Sequence, residues 1–228
     1  MPVLQRTGVL KKRRAFMKNL TGKKIAGVIL GNLILGIGVA LLKVSQMGND
    51  PYSACNMAIS DVIGMWLGTY QLIINVVLFV IQLLWGRKYI GFGTVINLFL
   101  LGYVVQFSAK GWEIIIGDGD DFSFPVKIIV MIVSLIILSF GLSMYQTANM
   151  GVSPYDYLAL GLTDKLKTSY SLNRIITDAG CVLIIVSAVL LKFTDWTHSH
   201  LGIGTVICAF CLGPLVGAFT RINKKWIK

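Results

Sequence analysis

Apolar positions gather into six runs, roughly 25–45, 70–86, 91–109, 125–147, 173–193 and 201–219, each carrying few charges. A helix needs about 20 mostly apolar residues to cross the hydrocarbon core, and these runs meet that demand. Two further segments are shorter and wetter. Residues 51–68 include Ser53, Asn56, Ser60 and Asp61; residues 154–169 include Asp156, Asp164, Lys165 and Lys167, with an apolar stretch only from Tyr157 to Thr163. Each opens on an oxygen-bearing residue followed by proline, Asp50-Pro51 and Ser153-Pro154. A capping oxygen with proline at the first helical position marks a helix start. The pattern predicts two short helices that enter the protein without fully crossing, or cross only as broken helices.

The pattern also occurs twice. An offset of 103 lays Met47-Gly48-x-x-Pro51-Tyr52 on Met150-Gly151-x-x-Pro154-Tyr155, Gly38 on Gly141, Asp61 on Asp164, Gln71 on Arg174 and Asn75 on Asp178. An offset of 111 lays residues 91–105 on 202–216, where nine of fifteen positions are identical, including Gly91-x-Gly93-Thr94 on Gly202-x-Gly204-Thr205. The eight extra residues fall near 192–200, in a loop. Three spans plus a partial helix per copy would make the copies inverted, and four full spans would make them parallel. Segment length favours the inverted arrangement. The predicted fold is an all-α polytopic membrane protein with basic tails at 1–24 and 221–228, membrane repeats at 25–110 and 125–220, and a loop at 111–124.

Composition agrees with lipid as the solvent: 55% of the 228 residues are hydrophobic, 14% are charged, and the mean hydropathy is +0.75. Soluble domains carry about 25% charged residues. A net charge of +11 would fit nucleic acid, but the basic residues crowd the two ends, Lys11, Lys12, Arg13, Arg14, Lys18, Lys23 and Lys24 before the first run and Arg221, Lys224, Lys225 and Lys228 after the last. Such clusters are what cytoplasmic flanks of spans carry, so both termini are expected in the cytoplasm and no nucleic-acid partner is expected. The first run is long enough to anchor and lacks a cleavage site behind it. Cys181, Cys208 and Cys211 lie in apolar runs and Cys55 in the first short segment, so Cys208-x-x-Cys211 reads as packing. His198 and His200 form a pair without a third ligand, too few for a metal site. Trp66, Trp85, Trp112, Trp196 and Trp226 lie near span ends, as interfacial tryptophans do. Small residues in the GxGT runs, in Gly27-x-x-x-Gly31 and in Gly213-x-x-x-Gly217 are expected to pack helices closely.

Candidate chemistry sits at the two helix starts. A helix N-terminus offers unpaired N–H donors and partial positive charge, and Gly48 and Gly151 would let backbone approach a ligand there. Tyr52 and Tyr155 follow the two prolines. In the longer runs Asp178 stands one turn after Arg174 on one helix face, an internal salt bridge or an ion site; the equivalents Gln71 and Asn75 are polar but uncharged. Asp61 and Asp164 end the short helices. The expected substrate site is therefore Gly48, Pro51, Tyr52, Asp61, Gln71, Asn75, Gly151, Pro154, Tyr155, Arg174 and Asp178. No nucleophile–base pair, metal cluster or phosphate loop stands out, so neither an enzyme, a cofactor nor a metal is expected.

The doubled MGxxPY, later Asp and GxGT signatures, from about Gly31 to Phe219, resemble the YczE/YyaS/YitT family of bacterial integral membrane proteins. The resemblance implies a polytopic fold in the bacterial cell membrane. Short helices in each of two inverted copies are the architecture of many secondary transporters. The reading that follows is a permease, a secondary transporter or channel-like carrier for a small polar, anionic solute. The rival is a substrate-capture subunit or membrane sensor acting with a partner membrane protein; a homodimer fits either.

Overall fold

A computed structural model describes residues 22–117, 119–196 and 199–227. The amino-terminal basic cluster up to Lys18, Lys228 and His198 lie outside these residues. The described residues form eight α-helices, six of them long and apolar enough to cross a membrane.

The centre is built by α1 (Gly22–Val44) and α5 (Phe124–Thr147). They cross antiparallel at very short range because glycine faces glycine. A Cβ on Gly31 would lie 2.6 Å from the Tyr145 backbone nitrogen, and one on Gly141 would lie 2.3 Å from that of Leu35. Missing side chains let backbones approach, which is how helices associate where lipid is as apolar as leucine. Flanking this pair, α4 (Phe92–Ile116) lies parallel to α1, tied by Asn97 Nδ2 donating to Asn32 Oδ1 at 2.7 Å. On the other side α8 (Ile203–Ile227) lies parallel to α5, tied by Asn223 Nδ2 donating to Ser143 Oγ at 3.0 Å. The helices paired by the sequence offsets, α1 with α5 and α4 with α8, thus run in opposite directions.

A second layer holds α3 (Leu67–Trp85), α7 (Tyr170–Leu190) and the short helices α2 (Pro51–Val62) and α6 (Pro154–Leu166). Each short helix packs against both α3 and α7. At 12 and 13 residues they reach about 18–20 Å and turn back rather than cross. One residue marks both ends of each. The His200 carbonyl accepts from Asn49 N–H at 3.0 Å, just before α2, and its ring Nε2 meets Asp61 Oδ2 at 2.8 Å near the end of α2. Tyr89, 111 positions earlier, does the same for α6: its carbonyl accepts from Val152 N–H at 3.0 Å and its hydroxyl donates to Asp164 Oδ2 at 3.1 Å. So α2 enters and leaves at the face where α8 begins, and α6 at the opposite face, where α4 begins.

Several expectations change. α4 and α8 run beyond their apolar runs, to Ile116 and Ile227, so residues 221–227 are helical. Trp112 is half-buried and donates from Nε1 to the Ile37 carbonyl at 3.3 Å, whereas Trp66, Trp85, Trp196 and Trp226 are exposed. Among the described residues Gly213 and Gly217 have nothing within 4 Å of a Cβ, so that small-residue stripe packs on no other described helix; α8 stands away from α7.

Candidate functional site

The two short helices start toward each other. Each start is fixed locally by its cap: Asp50 Oδ2 accepts from Ser53 N–H at 3.0 Å, and Ser153 Oγ accepts from Asp156 N–H at 3.1 Å. With proline at the first position of both, Tyr52 and Tyr155 project into the centre and stack, ring centroids 3.9 Å apart and planes 12° from parallel. Their hydroxyls point to equivalent partners. Tyr52 donates to Asn75 Oδ1 on α3 and Tyr155 donates to Asp178 Oδ1 on α7, both at 2.6 Å.

Charge enters on the α6–α7 side. The Arg174 guanidinium lies over the Tyr155 ring at 4.8 Å, pairs with Asp178 at 3.2 Å and also pairs with Asp156. Asp156 is a site residue that the sequence reading passed over as part of a wet segment. A signal was available, because under the 103 offset Asp50 and Ser53 exchange types with Ser153 and Asp156. Each helix start thus carries its own carboxylate, at the cap of α2 and in the first turn of α6. Each N-terminus thus already faces a carboxyl group of the chain itself. Cys55 and Cys181 complete the cluster; they are buried, free and in mutual contact, with Tyr155 Oη 3.5 Å from the Cys181 sulfur. Oxidation of the folded protein with copper phenanthroline is expected to join Cys55 to Cys181, giving a Cys181→Ala-sensitive disulfide by mass spectrometry. Recovery of both thiols intact would place α2 and α7 farther apart.

The glycines do something else. Gly48 and Gly151 adopt φ of +101° and +115°, and each lies on the GxGT start of the other half. Gly204 N–H donates to the Met47 carbonyl at 2.6 Å, and Gly93 N–H donates to the Met150 carbonyl at 2.7 Å. Thr94 Oγ1 donates to the Val152 carbonyl at 2.8 Å. Each re-entrant loop is therefore clasped by a helix start from the opposite half. GxGT is a backbone-approach motif for the partner loop rather than a helix-packing stripe.

Of the expected site residues, Pro51, Tyr52, Asn75, Pro154, Tyr155, Arg174 and Asp178 come together. Gln71 is buried beneath Gly102, one turn from Asn75. Gly48 and Gly151 hold the loops. Asp61 and Asp164 stand apart, near the far ends of the short helices: Asp61 meets His200, and Asp164 pairs with Lys88 at 2.7 Å at the exposed surface. The Lys88 ammonium holds the Asp164 carboxyl below the usual carboxylate range.

Comparison with known proteins gives relatives along most of the chain. It is similar to protein YyaS of Bacillus subtilis, 26% identical over 197 residues that cover 86% of this chain and 92% of that one. It is similar to an uncharacterized protein of Haemophilus influenzae, 24% identical with 88% and 84% covered, and to the membrane protein YczE of Bacillus subtilis, 24% identical with 82% and 80% covered. No solved structure matches. The family of unknown function DUF6198 matches residues 22–221, and the chain belongs to it, as a multi-pass helical membrane protein of the YczE/YyaS kind.

Proposed function

We propose that the protein is a permease for a small polar solute. The observation that carries the proposal is the meeting of two oppositely entering helix starts at the Tyr52–Tyr155 stack, in a protein with a cleft near either end of its central helix pair. One cleft is lined by Lys24, Gln146, Thr147, Asn149 and Lys224, the other by Lys43, Gln46, Asn49, Asp120 and His200. Discontinuous helices meeting at a central site between inverted halves are what alternating access uses. In this reading the stacked rings close the path, and rocking of one half against the other parts them toward one cleft at a time.

Charge balance turns the solute from the anion expected on sequence grounds toward a cation. Arg174 is already engaged by Asp156 and Asp178, two carboxylates on one guanidinium. A buried cluster with excess negative charge favours a cationic group or a proton. The end holding Lys23, Lys24, Lys88, Lys165, Arg221, Lys224 and Lys225 faces the cytoplasm on this reading, in the plasma membrane of a bacterium. The test starts from ligand-dependent stability, since a compound that binds only the folded state raises it. Thermal unfolding across a panel of small amines, amino acids and carboxylates is expected to single out amines. Those hits are expected to enter vesicles containing the purified protein and to lose both effects in Asp178→Asn. A stabilising compound that never crosses the vesicle wall would overturn the permease.

A further inference from the structure

The two halves differ in one wall. In the first half α3 closes on α4: a Cβ on Gly102 would lie 3.0 Å from Gln71 Cβ and Oε1, and Gly68 N–H donates to Gln106 Oε1 at 2.9 Å. The offsets carry Gly102 to Gly213, Gln71 to Arg174 and Gln106 to Gly217. There the wall is open. Among the described residues Gly213 and Gly217 meet nothing within 4 Å, and Ala209, Gly213, Pro214 and Gly217 are exposed where Leu98 and Gly102 are buried. The polar pair behind the closed wall, Gln71 and Asn75, is buried; the charged pair behind the open wall, Arg174 and Asp178, keeps 22% and 15% of its side-chain surface exposed.

We infer that the gap between α7 and α8 is a side entrance from the bilayer to the Arg174 cluster, taken by an amphiphile whose cationic head seats against Asp156 and Asp178. This rests on the permease site and names its substrate class. Three observations support the occupant. The two helices that bound the gap carry exposed apolar side chains, Ile175 and Ile176 on α7 and Phe210 on α8, which suit an alkyl chain. Its inner end holds one guanidinium between two carboxylates, an excess of negative charge that a cation complements. Its register fits as well: Arg174 lies four residues after the start of α7, about 6 Å along the helix, so a head group entering beside that helix end reaches it while its chain stays in lipid. Ionised groups open to hydrocarbon are costly and persist where something polar reaches them.

The test reads binding directly. Ala209→Trp places a fluorophore at the gap one turn from Gly213, and its emission is taken as the difference from the parent protein in phosphatidylcholine vesicles. A nitroxide-labelled alkyl trimethylammonium is expected to quench it at a several-fold lower mole fraction than a phosphatidylcholine with the same nitroxide. That advantage is expected to vanish in Asp156→Asn/Asp178→Asn. Equal quenching by both probes means ordinary lipid contact and overturns the inference. No quenching by either means the gap is covered, by a second copy for instance, and also overturns it. Should the tryptophan variant fail to fold, Gly213→Cys in a Cys211→Ala background serves instead: alkyl trimethylammonium is expected to slow its alkylation by a lipid-soluble maleimide several-fold, and an unchanged rate is the contrary result. Selective binding without vesicle uptake keeps the entrance and removes the permease.

Discussion

Arg174→Gln is expected to destabilise the protein by about 3–5 kcal/mol, the cost of leaving buried carboxylates without their counter-charge. Asp156 and Asp178 both face that guanidinium, and Tyr155 lies beneath it. The first half shows a version without the guanidinium and its two carboxylate partners, because Ser53, Gln71 and Asn75 occupy the equivalent positions. The triple variant Asp156→Ser/Arg174→Gln/Asp178→Asn is therefore expected to recover most of the loss while abolishing solute binding. Thermal unfolding of the single and triple variants in the same detergent decides it. A triple variant as unstable as the single one would mean that Arg174 acts through packing rather than charge.

The glycines of the re-entrant loops carry the second large effect. Gly48→Ala and Gly151→Ala each place a side chain in left-handed backbone, at about 1–2 kcal/mol, and drive its Cβ to within 2.5 Å of atoms in the opposite half. Overpacking adds about 1–3 kcal/mol. Each single variant is expected to lose about 3 kcal/mol or more, and the double variant is expected not to accumulate in the membrane. The position decides this, not glycine as such: Gly111→Ala, where nothing lies within 4 Å, is expected to be neutral or slightly stabilising by helix propensity. Membrane-inserted protein measured in parallel expressions separates the sites. Wild-type yield from the double variant would contradict the clasp. Sequence alone predicts lost ligand binding with the fold intact; the clasp moves that expectation to the fold itself.

The membrane path is written plainly in the chain, since hydrocarbon demands about 20 apolar residues and two segments cannot supply them. The starts of α2 and α6 are equally plain, because Asp50-Pro51 and Ser153-Pro154 act through local geometry. Tyr52, Tyr155, Asn75, Arg174 and Asp178 follow from counting helix turns from those starts. What escapes is whatever depends on a distant partner. Asp156 looks like a solvated charge until Arg174 is placed beside it. GxGT looks like a packing stripe until the Met47 and Met150 carbonyls arrive from the other half. The ends of α4 and α8 escape because helices continue into polar surroundings without an apolar signal. Hardest of all is the α7–α8 gap: residues 91–105 and 202–216 share nine of fifteen residues, yet Gly102 is covered and Gly213 is not. The same glycine lies against Gln71 in one half and against no described side chain in the other, where Arg174 is drawn toward Asp156 instead.

The crossed clasps also set an order of events during synthesis. The Met47 carbonyl waits for Gly204, 157 residues downstream, which at 5–20 residues per second is about 10–30 s of translation. Through that interval α2 is in the membrane with its loop carbonyl unclaimed, while α6 finds Gly93 already made when Met150 emerges. The second re-entrant loop can be clasped as it is synthesised, the first only at the end, and a ribosome that stalls before residue 202 leaves a chain whose amino-terminal half is complete in sequence and unfinished in structure.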